Sequence, residues 1–271
     1  MKGLGFLGAG NMGEAMIFGV LSAGLLAPSR IFVVDPSPGR GEELKSKHGV
    51  VPCPSPAEML EECDTVVLAV KPQVLPALLG SLPPGASKGR LFLSIAAGVR
   101  LPAILSRLGE GAAVARAMPN TPALVGMAST GIFFSPAVTA EERERALSVF
   151  DSFGTTAEVQ KEEQLDAVTA LSGSGPAYAF LFAEALADGG VRAGLPRDAA
   201  MRLAAGTLEG AARMIRETGS HPAVLKDMVM SPAGTTAAGV AALEEGAFRG
   251  TVLAAVKAAF DRCRELSRGE G

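Results

Sequence analysis

Leu4-Gly5-Phe6-Leu7-Gly8-Ala9-Gly10-Asn11-Met12-Gly13 carries the reading on which the fold turns. A short apolar run ends in Gly-x-Gly-x-x-Gly and passes at once into helical spacing from Asn11 to Ala23. The glycines answer three demands: a tight turn at Gly8, close approach of a pyrophosphate at Gly10, and close helix–strand packing at Gly13. Ala9, Asn11 and Met12 fill the intervening places, where the amides of a helix start face phosphates. Glycine-rich turns share the bare motif, but its place between strand and helix is the context dinucleotide binding requires.

Outward from that loop, short apolar runs alternate with helical segments. Ile31-Phe32-Val33-Val34, Thr65 to Val70 and Leu91 to Ile95 read as buried strands, with shorter candidates at Ala113-Val114-Ala115 and Gly131 to Phe134. Helices such as Pro56 to Glu62 lie between them, and a helix from Ala140 to Phe153 with a run near Val159 closes the set. This alternation predicts βαβ units and a parallel sheet. Beyond about Lys161 the strands vanish. Helical periodicity runs over 162–172, 177–193, 197–217, 236–245 and 251–267, broken by Gly/Pro turns. The expected architecture is a Rossmann-type doubly wound α/β domain over residues 1–160, followed by an all-helical domain over residues 161–271.

Strand ends in open α/β sheets carry the ligand. Asp35 closes the second strand where an acidic residue meets an adenosine ribose; it would accept from a 2′-hydroxyl and repel a 2′-phosphate. The alternative is an aspartate capping its own turn, and Arg40 with Pro36-Ser37-Pro38-Gly39 could hold a phosphate nearby, so NADH or NADPH stays open as cofactor. Ala69-Val70-Lys71-Pro72, Ala97-Gly98 and Asn120 lie at the ends of three further strands and are expected along the cofactor groove, with Asn120 placed to bond a carboxamide. Ordinary loop chemistry is the competing account of each.

Near the other end, Ser231-Pro232-Ala233-Gly234-Thr235-Thr236 opens an alanine-rich, almost uncharged helix. Ser followed by Pro reads as a helix start, and the unpaired amides of such a start make a seat for a small carboxylate. A capped helix packing through small residues is the plainer account. Together with the nucleotide loop, the motif points to an enzyme that reduces a small acid.

Composition narrows the field. The 271 residues carry a net charge of −3, which lacks the basic field of a general nucleic-acid binder. Their 48% hydrophobic content implies helix faces buried against another chain. Cys53, Cys63 and Cys263 lack metal-ligand spacing and are too few for a disulfide scaffold, which fits a reducing cytoplasm; no metal is expected. Lys2 and the apolar run after it mimic a secretory signal, but Glu14 interrupts them, and no window reaches the length of a membrane span.

Several stretches, in order along nearly the whole chain, resemble the pyrroline-5-carboxylate reductase family. They are Gly8 to Gly13, Val70-Lys71-Pro72-Gln73, Met118-Pro119-Asn120-Thr121-Pro122, Leu171 to Tyr178, Leu225-Lys226-Asp227, and Ser231 to Thr236 running on to Leu243-Glu244. The resemblance implies NAD(P)H-dependent reduction of 1-pyrroline-5-carboxylate to L-proline, the last step of proline synthesis. It implies a helical domain that interlocks two subunits, with dimers often arranged as a decamer of five. It places the substrate loop on Ser231, Gly234, Thr235 and Thr236, with Thr236 as proton donor. Two departures stand out: Ala233 where many members carry glycine, and Asp35 where many carry a Ser or Asn-Arg pair suited to NADP.

The chemistry agrees with that assignment. Alcohol oxidation needs a base, usually His or Lys. Of the two histidines, His48 is expected on the surface and His221 at a helix start. A cyclic imine can enter protonated and accept hydride without such a base. A β-hydroxyacid dehydrogenase shares the glycine loop but calls for Lys and Asn in the region that here reads Gly175-Pro176-Ala177-Tyr178-Ala179-Phe180. A non-catalytic dinucleotide-sensing module is the remaining rival. Lys226 and the Tyr178, Phe180 and Phe182 group are read as a surface charge and as packing residues.

Overall fold

The computed structural model describes residues 1–268. Eight strands form one sheet: β1 (Leu4–Leu7), β2 (Ile31–Val34), β3 (Val51–Pro52), β4 (Thr65–Leu68), β5 (Leu91–Ser94), β6 (Ala113–Met118), β7 (Ala128–Phe134) and β8 (Gly154–Glu158). Their spatial order is β3-β2-β1-β4-β5-β6-β7-β8. The chain therefore winds outward from β1 to β3, returns to β4 on the far side of β1, and leaves a switch point between β1 and β4. The first six strands run parallel. β7 is antiparallel to β6, a departure from the all-parallel expectation. Only a 3₁₀ turn (Thr121–Val125) separates β6 from β7. That is too short for the crossover a parallel neighbour needs.

Side-chain alternation along the strands builds two hydrophobic layers. Leu4 and Phe6 of β1, Val67 of β4, and Leu91 and Leu93 of β5 face the layer that includes Met16, Ile17 and Val20 of α1 (Asn11–Ser22). The same layer takes in Val149 and Phe150, but they come from a later helix, Ala140–Asp151. Leu7, Val66, Leu68 and Phe92 face the other layer. There α3 (Pro56–Glu62), α4 (Leu75–Ser81) and α5 (Leu101–Leu108) supply Met59, Leu75 and Ile104. Between α1 and α3 lies α2 (Arg40–His48), and the helix at Ala140–Asp151 is α6.

The helical region comprises α7 (Gln164–Val168), a π-turn (Thr169–Gly173), α8 (Gly175–Arg192), α9 (Arg197–Thr218), α10 (Pro222–Met228), α11 (Thr235–Glu245) and α12 (Phe248–Arg268). By compactness the chain divides into Met1–Ser174 with the segment from Ala259 onward, and Gly175–Ala258. The first change of unit falls after Ser174, later than the loss of strands implies. Side chains set this difference. Glu162 accepts from Arg116 and from the Leu101 amide, and Asp166 accepts from Arg100 at 2.7 Å. These bonds keep residues 162–174 with the sheet.

The second unit packs α8 against α9 through Ala187, Ala200 and Ala204, its fully buried hydrophobic side chains among the described residues. Phe182 and Phe248 meet with ring centroids 5.6 Å apart. Large apolar side chains elsewhere on the unit face outward: Phe180 is 68% exposed, Met228 70% and Leu253 71%. Among the described residues no helix is long and apolar enough to cross a membrane.

Candidate active site

At the carboxyl ends of β1, β4 and β5 the first unit holds a groove of about 540 Å³. That size lies within the range of cofactor sites. Gly10, Asn11, Met12, Ala69, Val70, Lys71, Pro72 and Ala97 line it, joined by Met118 and Pro119. Gly8 lies beneath with φ +86°, and a Cβ there would stand 2.7 Å from Val70 Cγ1. Gly13 packs close: its Cβ would meet the Gly8 carbonyl at 3.2 Å. Gly10 differs from both, since nothing lies within 4 Å of the place a Cβ would take. Bare backbone therefore opens onto the groove at the start of α1, where no side chain caps the helix. A pyrophosphate fits this arrangement of amides, dipole and space.

Gly98, with φ +75°, lines a neighbouring cavity of about 520 Å³ in the same unit, together with Thr169, Ser174 and Arg262. Sequence reading passed over this second cavity and its arginine. Arg262 sits on a helical turn far along the chain, where it reads as one of many surface charges.

Next to the groove, the contacts converge on Ala9. Asp35 Oδ2 accepts from the Ala9 amide at 2.7 Å, and Oδ1 accepts from the Ser37 amide at 2.8 Å. Asp35 thus caps its own turn and braces the glycine loop at once. A carboxylate has about four acceptor sites, so two remain for ribose hydroxyls. Burial opposes ionisation of Asp35, but the two amides overcome it and hold the carboxyl below its ordinary value. Arg40 grips the other side of the same residue, its Nε donating to the Ala9 carbonyl at 2.9 Å. Its remaining nitrogens pair with Glu14 at 2.5 Å and Glu43 at 2.9 Å.

Glu14 is the hub of a cluster that joins α1 to α2. Besides Arg40 it receives Lys47 at 2.5 Å and the His48 ring at 3.1 Å. The Lys47 bond, set against burial and aided by Arg40 and His48, brings its carboxyl down to about 2. His48 is 9% exposed in its side chain, which corrects the expectation of a surface residue: it lies one helical turn after Leu44, the buried residue of α2, and so shares its inward face.

Asn120 is held from two sides. It is buried, its Nδ2 donates to the Ser172 carbonyl at 2.9 Å, and its Oδ1 accepts from the Ser129 amide at 2.9 Å. Each end of the amide makes one bond within the protein, so the side chain braces the Pro119 loop against the π-turn, and one N–H and one lone pair remain for a carboxamide.

In the second unit the Ser231 motif takes a form that sequence reading placed differently. The helix begins at Thr235 with Gly234 as N-cap, in line with the periodicity over 236–245, so the Ser231-Pro232 signal lies ahead of the cap. Ser231-Pro232-Ala233 forms a turn closed by the Gly234 amide donating to the Ser231 carbonyl at 3.0 Å. Ala233 closes it with φ +56°, in the left-handed region that favours glycine. The space at Gly234 is taken by the Ser231 hydroxyl: a Cβ would stand 2.2 Å from Oγ. The hydroxyls of Thr235 and Thr236 rise from a first turn that no side chain caps. Lys226 is paired with Asp227 at 2.7 Å. His221 caps α10, its Nδ1 accepting from the Ala223 amide.

Residues 162–266 match the dimerisation region described for pyrroline-5-carboxylate reductase, and residues 3–98 match the coenzyme F420-dependent NADP oxidoreductase family. The chain is 44% identical to an Arabidopsis thaliana pyrroline-5-carboxylate reductase over 98% of its own length and 95% of that protein. The solved pyrroline-5-carboxylate reductase of Coxiella burnetii superposes with a TM-score of 0.94 at 36% identity, covering 98% of both chains. That of Plasmodium falciparum, solved with NADP bound, gives 0.85 at 32% identity, again over 98% of both. The chain belongs to the pyrroline-5-carboxylate reductase family. Membership accounts for the outward apolar faces of the helical unit, which is a pyrroline-5-carboxylate reductase dimerisation region, and the chain forms a homodimer through it. The chain uses NAD(P), and the match over residues 3–98 assigns the NAD(P)-binding domain to the sheet unit.

Proposed function

We infer that this chain reduces 1-pyrroline-5-carboxylate to L-proline with NADH or NADPH, completing proline synthesis. The observation that carries the reading is the open backbone at Gly10, set in a groove at the switch point of a chain of this family. When bound, the reduced nicotinamide supplies a hydride to the imine carbon, and the ring nitrogen ends as a secondary amine with one added proton.

The chain's own contribution is orientation and charge. The amides at the start of α1 hold the pyrophosphate, while Ala69 to Pro72 and Ala97 border the nicotinamide path. The uncapped amides of α11, with Ser231, Gly234 and Thr235, hold the substrate carboxylate. Thr236 bonds the substrate nitrogen; a hydroxyl is a poor acid in water, so it positions the nitrogen and relays a proton from solvent. Imine reduction needs no histidine base, and His221 and His48 are both engaged elsewhere. With folded protein, NADH or NADPH should be consumed one for one with proline formed; no proline above background with either cofactor would refute the reading.

The same reading extends to assembly and place. Five dimers associate as a decameric ring, supported by the family resemblance and checked by the mass in solution. The site of action is cytoplasmic, in keeping with Cys53 and Cys63 as free thiols, the latter pushed up to about 12 by burial.

A further inference from the structure

The turn after β2 is where a 2′-phosphate would distinguish NADPH from NADH. Arg40 is the guanidinium at that turn, and all three of its nitrogens are committed: Nε to the Ala9 carbonyl, Nη2 to Glu14 and Nη1 to Glu43. Its side chain is only 17% exposed. The first turn of α2, whose dipole would otherwise welcome an anion, already carries Glu42 and Glu43. Asp35 adds a further carboxylate at the end of β2.

We propose that Glu14 is a specificity-determining residue for the cofactor, acting through Arg40. By drawing the guanidinium onto α1 and the Ala9 carbonyl, it withholds the positive charge a 2′-phosphate needs and sets the site for NADH. Glu14 is not among the residues lining the groove above the glycine loop, and it works as a positioning residue. It is anchored for this task by Lys47 and His48, which hold its second oxygen while Arg40 holds the first. The inference rests on the reductase reading above and adds to it a cofactor preference and its cause.

The test is direct binding, followed by the nicotinamide's own fluorescence; the chain has no tryptophan and one tyrosine to interfere. Wild type should bind NADH more tightly than NADPH. Glu14→Gln should shift the ratio of dissociation constants toward NADPH by about 10-fold, the scale of one charge-assisted hydrogen bond. In Glu14→Gln/Arg40→Ala the gain should vanish, because the freed arginine is its source. Glu43→Gln, at an exposed carboxylate, should move the ratio the same way by less, and serves if Glu14→Gln does not fold. An unchanged ratio in the folded variants would overturn the proposal, as would a gain that survives loss of Arg40. Wild type that binds neither cofactor would instead sink the reductase reading itself, and this inference with it.

Discussion

Thr236 and Asn120 are both read as site residues, and their surroundings differ. Thr236 sits in the first turn of a helix that no side chain caps, and the proposed role gives its hydroxyl a measurable effect. Thr236→Ala should lower kcat about 10- to 100-fold with cofactor affinity intact, below the full range of general-acid effects because water can substitute. Thr236→Ser should keep most activity; wild-type turnover in the alanine variant would leave the motif as a helix start only. Asn120 should behave in the opposite way. Removing its amide takes the partner from the part-buried Ser172 carbonyl and Ser129 amide, at a cost of about 1 kcal/mol. Asn120→Ala should therefore unfold at lower denaturant while its NADH dissociation constant changes little; the converse pattern would establish the carboxamide contact. The brace was hidden in the sequence because its partners lie 9 and 52 residues away. The glycine loop was legible because every part of it is contiguous.

Elements were legible where the cause was local. The strands at 4–7, 31–34 and 91–94 carry β-rich apolar runs that local pattern reveals, while β7 turns antiparallel because of a linker whose length, not composition, decides. At α11 a local signal misled: Ser-Pro is a good helix start, but the turn at Ser231–Gly234, with Ala233 left-handed, moves the start to Thr235. The clamp between α1 and α2 likewise draws on Glu14, Arg40, Lys47 and His48 from separate segments. It should be visible in the pH dependence of stability. The Glu14 carboxyl lies at about 2 in the folded chain against 4.5 ordinarily. A depressed folded value stabilises the protein above the ordinary one, and that stability drains away as pH falls from 4.5 toward 2. Urea midpoints should accordingly fall less steeply across this acid range in Glu14→Gln than in wild type. Parallel slopes would show that the clamp adds nothing.

At the scale of the molecule, the two units differ in how much interior each owns. The sheet unit buries two full hydrophobic layers. The helical unit closes on three alanines and leaves phenylalanine, leucine and methionine side chains outward. Burying each such side chain is worth about 1.5–3 kcal/mol, so the partner's surface supplies most of what stabilises this half. Light scattering at micromolar concentration should return twice the chain mass or a multiple of it, and a mass of one chain would contradict this account. The thermal midpoint should also rise with protein concentration. A half whose interior is borrowed is unfinished at birth. A newly made chain must find a sister before its helices are safe from proteases. Halving synthesis should then cut the standing amount of intact enzyme by more than half.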